Sequence, residues 1–169
     1  MLRTERFLLR RPAPQDLHEW TPFYKSARAV HIGGGPDASD GRAWRTFASI
    51  IGHWTLNGCG PFAIALDDES PAIGMAGPWF PGDWPEREMS WSIWAPRWEG
   101  RGAAFEAVTA ARAHAFDDLG WSTAVSYVDP RNARSIALAE RLGCVRDGEA
   151  AKPDALDALV YRHPAPTRG

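Results

Sequence analysis

Apolar and polar positions alternate in several distinct rhythms along the chain, and each rhythm marks an element. Arg6-Phe7-Leu8-Leu9-Arg10 is a short apolar run held between charges and closed by Pro12 and Pro14, which predicts an opening strand. From Asp16, a helical stretch runs through Leu17, Trp20, Phe23 and Tyr24, with Pro22 as the expected kink or break. Beyond the Gly33-Gly34-Gly35-Pro36 connection, Trp44, Phe47, Ile51 and Trp54 recur at helical spacing. Asp40 is the expected N-cap of that second helix and Asn57-Gly58 its stop.

The middle of the chain changes to the period of strands. Residues 62–66 and 73–79 flank Asp67-Asp68-Glu69-Ser70-Pro71, a turn-rich pentad that predicts a hairpin. A third strand spans 88–95, where Met89, Trp91 and Ile93 alternate with Glu88, Ser90 and Ser92 until Trp94 breaks the rhythm, as a bulge would. Residues 102–119 are strongly helical, with a stripe of Ala104, Val108, Ala111 and Ala115, and Gly120 stops them. A strand over 123–128, a helix over 132–142 ended by Gly143, and final strands at Val145 and Leu159-Val160-Tyr161 complete the reading. It predicts one mixed α+β domain over 1–169, with 164–169 a frayed tail.

Composition supports a globular chain: of 169 residues, 44% are hydrophobic and 24% charged. Nineteen Lys and Arg against 21 Asp and Glu leave a net charge of −2, so the broad basic field of a nucleic-acid binder is missing. Cys59 and Cys144 show no CxxC spacing, and the five histidines follow no metal-ligand pattern, so no metal is assigned. No stretch approaches the ~18 apolar residues of a membrane span. The expectation is a cytoplasmic protein with neither membrane nor nucleic acid as partner; a homodimer is compatible with it. Nine tryptophans read either as core or as the walls of an aromatic cleft, and both readings stand at this point.

The densest chemical signal is Trp98-Glu99-Gly100-Arg101-Gly102-Ala103-Ala104-Phe105-Glu106-Ala107. Here a strand passes through a glycine turn into a helix of small residues. Glycines let backbone approach a ligand, and the first helical turn offers unpaired N–H groups and a favourable dipole, the ingredients of a diphosphate site. An ordinary tight turn has the same letters. The segment is no Walker loop, since GxxxxGK[ST] is absent, and no Rossmann fingerprint, since it comes late and opens no parallel βαβ unit.

Together with Ser126-Tyr127-Val128-Asp129-Pro130-Arg131-Asn132-Ala133-Arg134-Ser135 and Ala139-Glu140-Arg141-Leu142-Gly143, this stretch resembles the GNAT acyltransferase superfamily, nearest to its ribosomal-protein N-terminal acetyltransferase branch. The likeness runs from Thr4 to Cys144. It implies a mostly antiparallel central sheet of about seven strands flanked by about four helices, and acetyl-CoA as co-substrate. The family's diphosphate motif fits as Arg97-x-x-Gly100-x-Gly102 or, better, as Glu99-x-x-Gly102-x-Ala104, where Glu99 replaces the usual Arg or Gln. The resemblance implies that backbone from Glu99, Gly100, Arg101, Gly102, Ala103 and Ala104 holds the diphosphate. It also implies that the strand end at Ile93, Trp94 and Ala95 splays to receive the pantetheine arm. A bulge N–H there would polarise the thioester carbonyl, and Asn132 would meet a pantetheine amide.

Acyl transfer to an amine needs the amine neutral. An α-amine with pKa ~7.7 to 8.0 is about 10% neutral at pH 7, but a lysine near ~10.4 only about 0.04%. Glu88, which matches a family Glu-x-x-Trp pattern, is the candidate base, because desolvation among Trp84, Trp91 and Trp94 raises a carboxyl pKa; a solvated edge glutamate is the plain alternative. Glu86 is the fallback. The tyrosine many relatives use as acid is replaced by Ala139, which leaves Ser135 or a water; Ser135 reads equally well as a helix-start residue. The expected function is acetyl transfer from acetyl-CoA to a primary amine, a peptide N-terminus or a small amine, by direct attack. The rival is a non-catalytic acyl-CoA-binding or sensing module on the same fold.

Overall fold

The structure, a computed structural model, describes residues 1–165. Its strands are β1 (Leu2–Arg3), β2 (Leu8–Arg10), β3 (Phe62–Ala65), β4 (Gly74–Trp79), β5 (Glu88–Ile93), β6 (Val125–Val128), β7 (Val145–Arg146) and β8 (Leu159–Arg162). They form one sheet in the order β1-β2-β3-β4-β5-β6-β8-β7. The helices are α1 (Leu17–Tyr24), α2 (Asp40–Asn57), α3 (Ala103–Asp117) and α4 (Ala133–Arg141), with short 3-10 turns at Pro14–Asp16, Ala27–Ile32 and Pro96–Trp98. The mixed, mostly antiparallel α+β sheet is the one expected.

Three details differ from the sequence reading. The opening strand has a neighbour before it: Leu2–Arg3 forms an eighth strand that pairs with Leu8 and Leu9 across a tight turn. Ser39, not Asp40, caps α2, because Ser39 is extended (ψ 159°) and its hydroxyl accepts from the Arg42 N–H at 3.2 Å. Asp40 enters the first turn instead and pairs with Lys25 at 2.5 Å. Pro22 does not break α1, which runs on to Tyr24. Of the expected frayed tail, Pro164 and Ala165 are exposed and 166–169 lie outside the described residues.

Alternation sorts the strands onto two cores. Phe62, Ile64, Ile73 and Ala76 face the alanine stripe of α3 (Ala103, Ala107, Ala111, Ala115), and small side chains let that helix lie close to β4 and β5. Ala63 and Ala72 face Trp20, Phe23, Phe47 and Ile50 of α1 and α2 on the other side. The tryptophans divide between both expected roles: Trp20 and Trp94 are 1% exposed core residues, whereas Trp79, Trp84 and Trp91 line a cavity.

Asp16 joins this second layer to the sheet. It is fully buried and accepts from Arg10 Nη1 and Nη2 at 2.9 and 2.7 Å, from the Ala13 N–H at 2.8 Å and from the Ala72 N–H at 2.9 Å. One carboxylate thus ties β2, the first 3-10 turn and the strand entering β4.

β5 and β6 are the parallel neighbours, and their ladder has the single register pair Glu88–Val125. Immediately beyond it the Ser126 hydroxyl donates to Met89 O at 2.6 Å, so a side chain takes the place of the next backbone bond. His163 Nε2 lies 2.9 Å from that hydroxyl. Because the hydroxyl's proton is committed to Met89 O, the ring nitrogen is the donor there, and Nδ1 is left to face Arg112 at 3.4 Å. Burial, then Arg112, pushes the His163 pKa down to about 3, so the ring stays neutral. From this vertex the two strands diverge.

Candidate functional site

The divergence opens a cavity of about 330 Å³. Glu88, Ser135, Asn132, Trp84, Trp91, Tyr127 and the Ile32-Gly33 lip all line it, so the two expected catalytic residues and Asn132 share one space. The lip depends on glycine: Gly33 and Gly35 have φ of 83° and 138°, and a Cβ on Gly34 would strike Tyr24 O. Of the triple-glycine segment, Gly33 lines the cavity.

Glu88 begins β5 at the vertex, with 8% of its surface exposed. Its Oε2 accepts from Trp84 Nε1 at 2.6 Å, and the nearby Tyr127 backbone N–H also favours the charged form. Burial outweighs both and pushes its pKa up to about 7. Glu86 has another role. Arg162 grips it at 2.8 and 2.9 Å, making it one arm of an Arg162–Glu86–Asp147 surface network.

Asn132 caps α4, its Oδ1 accepting from the Ser135 N–H at 3.2 Å. Ser135 Oγ does not cap the helix but accepts from Trp91 Nε1 at 3.2 Å and faces the cavity. Arg131 folds back on Asp129 (3.0 and 2.8 Å), which also bonds His31 Nδ1 at 2.9 Å; these partners hold the Asp129 carboxyl far below the usual carboxylate range.

The bulge is present. The N–H groups of both Trp94 and Ala95 donate to Ile73 O, at 2.8 and 3.1 Å, two residues opposite one. Its consequence is a correction: both bulge amides point at the β4 side and are occupied, so neither faces the gap. Met89 O meets Ser126 and Ile93 O meets Arg28, which sets Met89, Trp91 and Ile93 as the residues whose backbone groups face β6. The amides aimed into the opening are therefore those of Trp91 and Ile93. The Trp94 ring turns into the core against Trp20 (centroids 5.2 Å apart) and donates from Nε1 to Ser92 Oγ at 2.9 Å.

Further out, Gly100 and Gly102 both take positive φ (69° and 76°), and Gly102 is the N-cap of α3, which fits the Glu99-x-x-Gly102-x-Ala104 register. The first intrahelical bond is Glu106 N–H to Gly102 O, so the amides of Ala103, Ala104 and Phe105 have no helical partner. Glu106 accepts from Thr4 Oγ1 and from Arg6 N and Nε, which pins the β1–β2 turn against this corner. Arg101 is exposed at the tip of the turn.

One residue at this corner left no sequence signal. Arg28, in the 3-10 turn after α1, donates to Ile93 O and Trp94 O at 2.8 Å each and to Glu99 at 2.6 Å. Glu99 in turn accepts from Arg134 Nη1 at 2.6 Å, across the opening from α4. Burial pushes the Glu99 pKa up, but the two arginines outweigh it and the carboxyl stays ionised. An Arg–Glu–Arg chain thus spans the trench between the strand end and α4. The chemistry of this corner suits a coenzyme A diphosphate: unpaired amides, a positive helix end and two guanidinium groups whose counter-charge is one displaceable carboxylate.

Known proteins share this fold. An acetyltransferase from Agrobacterium tumefaciens str. C58 is 37% identical, with 96% of this chain and 93% of that one covered and a TM-score of 0.86. At 20% identity, a spermidine N-acetyltransferase from Vibrio cholerae, solved with CoA and spermine, superposes over 93% of each chain (TM-score 0.66). A ribosomal-protein-S5-alanine acetyltransferase from Vibrio fischeri, 17% identical, covers 95% of this chain and 94% of its own (TM-score 0.69). Residues 6–145 match the model of the acetyltransferase (GNAT) domain, so the chain belongs to the GNAT acetyltransferase family.

Proposed function

We propose that the protein transfers an acetyl group from acetyl-CoA to a primary amine, with Glu88 as general base. The observation that carries this is a buried carboxyl with a pKa of about 7 at the vertex of the β5–β6 opening. When bound, acetyl-CoA supplies an activated acyl carbon and a thiolate leaving group. The protein's own part is threefold. The amides of Ala103, Ala104 and Phe105 receive the diphosphate at the end of α3, with Glu99, Gly100, Arg101 and Gly102 shaping the turn. Backbone of Trp91 and Ile93 lines the arm, with their N–H groups as oxyanion donors and Asn132 on the facing helix. Glu88 takes the amine proton. Ser135 Oγ, already held by Trp91 Nε1, is the group beside the opening that can return a proton to the thiolate; with a thiol pKa near ~8.5, little help is needed.

A carboxyl poised near 7 supports catalysis over the sensing alternative, because a carboxyl kept only for structure gains nothing from being buried without a cation. Thiol release from acetyl-CoA in the presence of primary amines tests the assignment. Binding of acetyl-CoA without thiol release by any amine would leave the sensing module as the correct reading.

The Arg28–Glu99–Arg134 chain yields a second test. Glu99→Gln frees both guanidinium groups and removes a negative charge beside the diphosphate. The Kd for acetyl-CoA, measured by calorimetry, is expected to fall about 3- to 10-fold, within the range of a partly exposed ion pair. An unchanged or higher Kd would mean that these arginines do not meet the diphosphate.

A further inference from the structure

The walls of the cavity carry information about what enters it. Trp79, Trp84, Trp91, Met75, Ile50 and Leu156 are among the apolar residues that line it. Three ionisable groups reach it besides Tyr127: Glu88, Asp129 and His31. Asp129 is spent, bonded by Arg131 through backbone and side chain and by His31. Among the described residues Glu88 has no cationic partner, its hydrogen bond coming from the Trp84 indole. A single available carboxylate in an aromatic chamber has room for one amine and repels a second charge, since a buried ammonium without a counter-ion is heavily penalised. At about 330 Å³ the space, which the acyl arm shares along Trp91, Asn132 and Ser135, is at the small end of ligand sites, roughly 300–1,000 Å³.

Building on the acetyl-transfer reading, we infer that the acceptor is a singly charged primary amine whose remaining body is apolar and of aromatic size. Polyamines and aminoglycosides, which bring several ammonium groups, are excluded by the same walls. Two sources share the accepted chemistry: a free arylalkylamine and a peptide that begins with a large apolar residue. Either would enter past the Ile32-Gly33 lip, where Ile32 is 40% exposed.

The test compares 2-phenylethylamine, a short peptide with N-terminal phenylalanine, spermidine and an aminoglycoside as acceptors, read by thiol release at pH 8. The value of kcat/KM for at least one apolar acceptor is expected to exceed that for spermidine by roughly 100-fold. Whichever apolar acceptor is faster identifies the source. Spermidine or the aminoglycoside turning over as fast as both apolar acceptors would overturn the inference while leaving acetyl transfer intact. No thiol release from any acceptor, with acetyl-CoA bound, would overturn acetyl transfer itself and this inference with it. Ile32→Glu supplies an independent check, because Ile32 is 40% exposed at the lip and tolerates a polar residue. A second carboxylate there should shrink the apolar-over-spermidine ratio about 10-fold. An unchanged ratio in a folded variant would show that acceptors do not enter by this cavity.

Discussion

Glu88→Gln is expected to lower kcat by about 10²- to 10⁴-fold while leaving acetyl-CoA affinity within about 2-fold, as removal of a general base should. The wild-type rate should climb with pH through about 7, where Glu88 loses its proton, and the residual rate of the variant should lose that step. Stability should move the other way. Folding raises this pKa, from 4.5 to about 7, so the stabilisation of the protonated form is complete below about 4.5 and is lost as pH rises through about 7. The amide keeps the acceptor oxygen for Trp84 Nε1 yet never ionises. At pH 8 to 9 the variant is therefore expected to be more stable than wild type by roughly 2–3 kcal/mol in urea melts, a gap that closes toward pH 5. An inactive but stabilised protein would identify a group held under strain for chemistry. Full activity, or a loss of stability at pH 8, would remove Glu88 from that role.

The largest stability loss is expected at Asp16. Asp16→Ala leaves the 4% exposed Arg10 side chain charged without its carboxylate and strips two backbone amides, Ala13 and Ala72, of their acceptor. Breaking a buried pair from one side costs about 3–5 kcal/mol, because the remaining charge stays desolvated. Denaturant unfolding should show the loss at pH 7. Replacing both partners, for instance Arg10→Met with Asp16→Leu, should recover part of it, since no unpaired charge remains. A change below about 1 kcal/mol would mean that water reaches Arg10 freely in the variant.

The parts of the fold that were legible from sequence are those written in local chemistry. The Asp67–Pro71 hairpin and the glycine stops at 58, 120 and 143 each depend on a few adjacent residues and stand where expected, whereas the small-residue stripe of α3 keeps Val108, Ala111 and Ala115 but buries Ala103 and Ala107 in place of Ala104. The break in alternation at Trp94 did mark a bulge. What sequence did not reveal was where its amides point, because that depends on Ile73, twenty-one positions away, offering one carbonyl to two donors. Glu88 stood out through its aromatic surroundings, yet the bond from Trp84 and the pairing that removes Glu86 to Arg162 are tertiary facts. Arg28 had no signal at all. It is an arginine in an irregular turn, and only the fold brings it 71 residues along the chain to Glu99. Ser39 took the cap from Asp40 because both are good capping residues and one residue of register separates them.

The single ladder pair between β5 and β6 makes Glu88 and Val125 the fulcrum of two half-sheets that part like the blades of scissors. A fulcrum barely travels when the blades swing. The carboxyl sits at the closed end, held by the ladder pair, so its position depends little on how far apart Ile93 and α4 stand. The Ser126–Met89 rivet, backed by the neutral His163 ring, fixes how close to that fulcrum the parting can begin.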